Sequence, residues 1–168
     1  GQVDVVRLLI EAGADIDKAR DNGATPLYMA SQNGHVEVAR LLIEAGAAID
    51  KAEDGGGTPL QIASQNGHVE VVRLLIEAGA DIDKARDGGW TPLLIASGKG
   101  HVDVVRLLIE AGADIDKAAN DGSTPLHFAS EKGHLEVVKT LLDSGADATL
   151  ATESGRTPLE AAKRYKHS

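Results

Sequence analysis

The stretch Gly23-Ala24-Thr25-Pro26-Leu27 decides the fold of this chain, because its last three residues return at a fixed interval. Thr-Pro-Leu occurs five times in the 168 residues, always 33 residues apart, starting at Thr25, Thr58, Thr91, Thr124 and Thr157. Gly-His pairs keep the same spacing and start at Gly34, Gly67, Gly100 and Gly133. A period held without insertion or deletion indicates one supersecondary unit stacked on copies of itself.

The residues after each threonine predict a pair of helices. Thr25 offers its hydroxyl as an N-cap, and Pro26 suits the first helical position, where a missing N–H costs nothing. Gly34 permits the left-handed conformation that ends this first helix. A second helix is predicted from His35 to about Ala45. The turn sequence Asp-Gly-Gly at 54–56 then favours a projecting hairpin.

The second helix is predicted to be buried between neighbouring repeats. Its charged residues Glu37, Arg40 and Glu44 fall on one stripe, and its other faces are apolar. Aromatic residues make up only 2% of the chain, so the core must consist of Leu, Ile, Val and Ala. The prediction is an all-α stack of helix-turn-helix units with projecting β-hairpin turns.

Composition limits the classes of partner. The net charge is −9, and an acidic body repels phosphate backbones, so nucleic-acid binding is not expected. No apolar run is long enough to span a bilayer and no signal peptide is visible, so no membrane partner is expected. Because Gly1 fits the repeat at the position of Gly34, the start is interpreted as a cut inside a longer array.

No catalytic, metal or cofactor site is predicted. Histidines recur at His35, His68, His101 and His134. Stacked helices lie about 8–10 Å apart, whereas zinc needs nitrogens at about 2.0–2.1 Å, so these histidines are interpreted as structural. Aspartates recur at Asp17, Asp50, Asp83 and Asp116 and are interpreted as solvated hairpin edges. Ser31 and its equivalents lie in the packed face of the first helix, away from any base, so the chain is not expected to be an enzyme.

This 33-residue unit resembles the ankyrin repeat. The matching residues are Gly23-Ala24-Thr25-Pro26-Leu27, Ala30, Gly34-His35-Val36-Glu37-Val38, Leu41-Leu42 and Ala45-Gly46-Ala47. The resemblance implies an ankyrin solenoid, one domain over 1–168, that binds another protein. The expected units are a half repeat 1–19, full repeats 20–52, 53–85, 86–118 and 119–151, and a terminal half 152–168. A natural chain is expected to be cytoplasmic or otherwise intracellular.

The chain departs from the family pattern directly after Thr-Pro-Leu. The family commonly has a histidine there that joins neighbouring hairpins by hydrogen bonds, and only His127 preserves it. The other repeats carry Tyr28, Gln61, Leu94 and Glu160, which puts the usual hydrogen-bond ladder in doubt. The near-identical second helices are typical of a recently duplicated or artificially idealised array, so a structural or designed scaffold without an evolved partner is the alternative function.

Candidate binding residues are those at which the repeats differ, on the hairpin tips and first helices. The resemblance implies that these elements line a concave partner-binding face. The positions are Ala24, Tyr28, Gln32, Asn33, Gly57, Gln61, Gln65, Asn66, Trp90, Leu94, Lys99, Ser123, His127, Glu131 and Lys132. Trp90 is the strongest candidate, because exposed tryptophan is enriched at binding hot spots, although packing across a neighbouring hairpin is the alternative. A binding face is expected to form one patch around Trp90, Leu94 and Lys99.

The chain ends suggest self-association. Gly1 begins at the second helix of a repeat, and Ser168 follows the first helix of another. Residues 1–19 hold two basic and four acidic residues, whereas four basic residues and one acidic residue lie from Arg156 onward. Head-to-tail association is therefore predicted, with a monomer whose ends fray as the alternative.

Overall fold

The computed structural model describes residues 1–163, and within that range it contains ten α-helices, one short 3-10 turn and no strand. The helices are α1 Gln2–Glu11, α2 Pro26–Asn33, α3 Val36–Glu44, α4 Pro59–Asn66, α5 Val69–Glu77, α6 Pro92–Lys99, α7 Val102–Glu110, α8 Pro125–Lys132, α9 Leu135–Asp143 and α10 Pro158–Lys163. The 3-10 turn spans Asp87–Gly89, and an isolated bridge joins Arg86 to Trp90. The all-helical prediction is confirmed.

The local signals that define the helix boundaries work as predicted. The hydroxyl of Thr25 accepts the backbone N–H of Tyr28 at 3.1 Å, and Pro26 is the first residue of α2. The helix α2 ends at Gly34, whose φ of 70° and ψ of 25° lie in the left-handed region. Residues other than glycine rarely adopt this conformation. The predicted exposed stripe of α3 is also present, because Glu37, Arg40 and Glu44 are all exposed.

The chain divides into two compact units, Gly1–Asp81 and Ile82–Ser168. In the first unit α2 packs on α3 and α4, while α3 packs on α1 and α5. In the second unit α8 packs on α6, α9 and α10, while α7 packs on α6 and α9. Within each unit, the helices that pack closely belong to the same repeat or to adjacent repeats. The single domain over 1–168 and the repeat boundaries stay a prediction.

The leucine of Thr-Pro-Leu forms the centre of each full repeat. It is fully or almost fully buried in four copies: Leu27, Leu60, Leu93 and Leu126. Second helices add Val71, Val72 and Leu75 in the first unit, all with no exposed surface. Burying each such side chain contributes about 1.5–3 kcal/mol, and every full repeat holds its own share of the core.

Aspartates join successive repeats. Both carboxylate oxygens of Asp17 lie 3.1 and 3.3 Å from the backbone nitrogen of Ala48, 31 residues further on. The same contact joins Asp50 to Asp81, Asp83 to Asp114 and Asp116 to Asp147. The interpretation of these aspartates as solvated edges missed this role. Their recurrence at four equivalent positions was the signal that could have revealed it.

The Gly-His histidines also bind the preceding repeat. Nε2 of His68 lies 3.0 Å from the carbonyl oxygen of Gln32, and Nε2 of His134 lies 3.1 Å from that of Gly98. The ring of His68 covers Gly34 so closely that a Cβ on this glycine would lie 2.7 Å from Nδ1. These contacts support the structural interpretation and show that His68 and His134 each bond the last turn of the first helix in the repeat before its own.

Candidate functional site

Six of the predicted binding residues are buried and cannot contact a partner in this structure. They are Ala24, Gly57, Gln61, Leu94, Ser123 and His127. Asn33, Asn66, Lys99 and Lys132 are exposed, and Tyr28, Gln32, Gln65, Trp90 and Glu131 are half-buried. The side chain therefore reaches the surface at these nine of the predicted residues, and their role in binding stays a prediction.

Tyr28 packs against the hairpin tip of the next repeat. A Cβ on Gly57 would lie 3.7 Å from the ring and the hydroxyl of Tyr28, which is an ordinary van der Waals contact, and 3.0 Å from a carboxylate oxygen of Glu53. Two positions that differ between repeats therefore lie next to each other inside the first unit.

His127 forms the family's hairpin contact. Its Nδ1 accepts the backbone N–H of Thr124 at 3.2 Å, so Nε2 carries the proton and donates to the carbonyl oxygen of Arg156 at 2.8 Å. His127 is only 1% exposed, and its two ring nitrogens are both used by the fold. The prediction that His127 joins neighbouring hairpins by hydrogen bonds is confirmed, whereas a role in partner binding stays a prediction.

At the same position, Gln61 and Glu160 repeat the contact that His127 makes with the start of its own helix. The amide oxygen of Gln61 accepts the backbone N–H of Thr58 at 3.0 Å, and the carboxylate of Glu160 accepts that of Thr157 at 2.8 Å. The pKa of Glu160 is held below its ordinary value, mainly by the hydrogen bond from the Thr157 N–H and secondly by the hydrogen bond from the Thr157 hydroxyl. Both side chains therefore cap their own helix from within the repeat.

Trp90 and Phe128 form an aromatic pair in the second unit. Their ring centroids lie 4.6 Å apart with planes tilted by 39°. Phe128 lies beside α6 at Gly98, where a Cβ would be 3.6 Å from that of Phe128. Both rings are half-buried. Trp90 therefore packs on the neighbouring repeat, as the alternative interpretation expected, but its contact is with the helix α8 and not with a hairpin.

Sequence reasoning missed Phe128. This residue is the only phenylalanine in the chain and stands where the other repeats carry Met29, Ile62 or Ile95. A phenylalanine at a position that is aliphatic in those repeats could have indicated from the sequence that Phe128 has a role of its own. Phe128, Glu131 and Lys132 are spaced at i, i+3 and i+4, which places them on one face of α8. We call Trp90, Phe128, Glu131 and Lys132 the α8 face.

An ion pair borders the α8 face. Nη2 of Arg156 lies 3.2 Å from a carboxylate oxygen of Glu131, and each side chain is about a quarter exposed. This pair joins α8 to the hairpin of the following repeat. The predicted patch of Trp90, Leu94 and Lys99 does not form as such, because Leu94 is fully buried while Lys99 is exposed at the end of α6.

In the first unit the candidate residues are mainly side-chain amides. Nδ2 of Asn66 donates to the carbonyl oxygen of Gln32 at 2.9 Å, which joins the ends of α4 and α2. Nδ2 of Asn33 donates to the carbonyl oxygen of Met29 at 2.8 Å. These bonds fix the amides at the helix ends, and Tyr28 is the half-buried aromatic residue of this unit.

Two kinds of chemical site are relevant among the described residues, a metal-binding cluster and a serine paired with a base. Between 1 and 163 no three His, Asp or Glu side chains are grouped so that they could hold a metal ion. The hydroxyls of Ser31, Ser64 and Ser97 are buried without a hydrogen-bond partner, so none of them is paired with a base. Across the same range, no helix combines the length and apolarity that crossing a bilayer requires.

Comparison with known proteins gives the class of this chain. The family model described as ankyrin repeats (3 copies) matches residues 1–87, 79–152 and 115–168. The chain therefore belongs to the ankyrin repeat family. Ankyrin repeats are generally protein–protein interaction modules and are typically not enzymes. A search of curated proteins finds no match.

Proposed function

We propose that this chain binds another protein through its hairpin tips and first helices, with the α8 face as the principal contact in the second unit. The observation that carries the proposal is the Trp90–Phe128 pair, two half-buried aromatic rings at 4.6 Å. Tryptophan in such a position combines a large apolar surface with little loss of side-chain freedom on binding. Aromatic residues are enriched at interfaces for this reason.

Charged groups around the pair supply the polar rim that interfaces usually have. Lys132 is exposed on the same face of α8 as Phe128, and Lys99 is exposed one residue after Gly98 on α6. The ion pair between Glu131 and Arg156 holds the border of this face in place. Because such an apolar centre with polar edges is already rigid, its side chains lose little conformational freedom when a partner binds.

Capture experiments with the intact chain test the proposal. A specific partner should be retained by the wild-type chain and lost with Trp90→Ala and with Lys99→Glu. Arg106→Glu is the matched control, because Arg106 is an exposed cation on the second helix α7 that pairs with Asp103. Circular dichroism and thermal unfolding of every variant separate a lost contact from a lost fold. Equal capture by all variants would contradict the proposal.

The second candidate function is a structural or designed scaffold without an evolved partner. The contact between Tyr28 and Gly57 supports it, because two residues that differ between repeats pack on each other there. This function predicts that Trp90→Ala lowers the melting temperature. It also predicts that the wild-type chain retains no protein that Lys99→Glu fails to retain.

A further inference from the structure

Asparagine is followed by glycine at three places in the first unit: Asn22–Gly23, Asn33–Gly34 and Asn66–Gly67. This dipeptide is especially prone to deamidation, because glycine has no side chain to shield its backbone nitrogen from the neighbouring amide. All three asparagines are exposed. Exposure therefore does not rank them, and the hydrogen bonds that each one makes decide which reacts first.

Two of these asparagines are held by the side-chain nitrogen that deamidation would expel. Nδ2 of Asn33 donates to the carbonyl oxygen of Met29 at 2.8 Å. Nδ2 of Asn66 donates to the carbonyl oxygen of Gln32 at 2.9 Å. Each asparagine is also the last residue of its helix, and the N–H of the glycine that follows donates back into that helix. Reaction at either place therefore requires the helix end and the side-chain bond to open together.

Asn22 is held less firmly. It lies in the hairpin turn before Thr25, and its side-chain oxygen accepts the N–H of Ala24 at a long 3.3 Å. Within residues 1–163, no hydrogen bond is found from its side-chain nitrogen. The N–H of Gly23 donates to the carbonyl oxygen of Arg20 at 2.9 Å. A single turn bond thus occupies the backbone nitrogen that would attack the side chain.

The exposure of Asn22 is a property of its hairpin position. The equivalent residues of the later repeats are exposed as well: Gly55, Gly88, Asp121 and Ser154. None of them is asparagine. The glycine that follows is required by the fold, because Gly23 has φ 77° and a Cβ there would lie 2.9 Å from the backbone nitrogen of Asp54. Asparagine therefore precedes this fixed glycine in the first hairpin and in none of the later ones.

We propose that Asn22–Gly23 is a site of spontaneous deamidation in the folded protein, and that it reacts before Asn33 and Asn66. The backbone nitrogen of Gly23 attacks the side-chain carbonyl carbon of Asn22. The proton of this nitrogen leaves with the side-chain amide as ammonia, and a cyclic succinimide remains. Water then opens the ring at either of its carbonyl carbons and gives aspartate or isoaspartate. The net reaction consumes water and releases ammonia, with no oxidation or reduction.

Either product disturbs the contact between the first hairpin and the next. The backbone N–H of Asp54 donates to the carbonyl oxygen of Asn22 at 3.0 Å. In isoaspartate the main chain runs through the former side-chain CH2, so the hairpin loses its original register. In aspartate a new carboxylate stands beside Asp21 and near the carboxylate of Asp54, which approaches Gly23, and like charges repel. We expect the converted chain to be less stable than the original one.

Peptide mapping of the full chain by mass spectrometry, after incubation at mildly alkaline pH, tests the proposal. Asn22 should convert about three- to tenfold faster than Asn33 and Asn66, which is the factor that one hydrogen bond corresponds to. In urea the three places should react at similar rates, because only the fold distinguishes them. Asn22→Gln is the matched variant. It should abolish conversion in this hairpin, since glutamine would have to form a larger ring, and leave the other two rates unchanged.

The comparison of the folded with the denatured chain gives the decisive result. Conversion of Asn33 or Asn66 as fast as that of Asn22 in the folded chain would overturn the proposal. An Asn22 that reacts in urea but stays intact in the folded protein would overturn it as well. Ion exchange separates the converted chain by its added negative charge, and its melting temperature should lie below that of the unconverted chain. Equal melting temperatures would overturn the inferred effect on the hairpins.

Discussion

The carboxylate of Asp116 accepts the backbone N–H of Asp147 through both oxygens, at 3.1 and 3.3 Å. Asp116 lies in a turn of the segment that follows α7, and Asp147 lies in the matching segment that follows α9. Since this contact returns at every described repeat junction within the two units, it acts as a clamp between layers, beside the histidine and asparagine contacts that also join them.

Replacing Asp116 by alanine should lower the free energy of unfolding by about 1–2 kcal/mol, because a hydrogen bond to a charged group is lost and the Asp147 N–H keeps no partner. Urea denaturation measures the change. Asp143→Ala is the control, since Asp143 is an exposed carboxylate at the end of α9. Equal stability of the two variants would show that the clamp has no energetic role.

Replacing His68 by alanine should cost about 1–2 kcal/mol of stability, because its bond to the Gln32 carbonyl and its packing over Gly34 are both lost. His35 stands at the equivalent position one repeat earlier and is exposed. The matched variant His35→Ala should change stability by less than about 0.5 kcal/mol. Chemical denaturation of both variants provides the comparison, and similar losses would refute the cross-repeat role.

Gly34→Ala should be more harmful than a glycine replacement elsewhere in the same unit. The left-handed backbone at φ 70° costs a side chain about 1–2 kcal/mol, and the new Cβ would also meet the His68 ring. Gly46 has φ 91° with no atom within 4 Å of a Cβ, so Gly46→Ala carries only the backbone cost. A difference of at least about 1 kcal/mol in unfolding free energy is expected. Adding His68→Ala should remove that difference.

Trp90 and Phe128 should be energetically coupled. A double-mutant cycle with Trp90→Leu and Phe128→Leu is expected to give a coupling energy of about 0.5–1.5 kcal/mol, the range for aromatic pairs beyond their area burial. Thermal and urea unfolding of the four proteins supply the values. Additive losses would mean that the two rings contribute to stability independently, despite the 4.6 Å between their centroids.

Glu160 should titrate below the usual range of a glutamate. The hydrogen bonds from Thr157, first from its N–H and then from its hydroxyl, lower its pKa in the folded state. A lowered folded pKa means that its contribution to stability is complete above the unfolded pKa and disappears as the pH falls through the folded value. Carboxyl NMR titration measures the midpoint, and Glu160→Gln should abolish this part of the pH dependence. A midpoint at or above the ordinary value would contradict the capping role.

The binding site could be predicted from sequence only in outline. Hairpin tips and first helices were chosen because the repeats differ there, and Trp90, Lys99 and Lys132 do reach the surface. Leu94 and His127 do not, because a position that varies between repeats can vary to fit its neighbour as well as to fit a partner. The sequence of a single chain does not distinguish a residue that varies to fit its neighbouring repeat from one that varies to fit a partner.

The repeat, its helices and their ends could be predicted from local sequence signals. Thr25, Pro26 and Gly34 act on backbone within a few residues of themselves, so their effects follow from local geometry. Which side chains face a neighbouring layer became known from the packing of the folded chain. Asp116 contacts Asp147 and Phe128 contacts Trp90, each about one repeat away in the sequence. Local sequence rules do not predict which residues of two repeats come into contact. Contacts between layers depend on how helices pack, and packing is a property of the assembled stack.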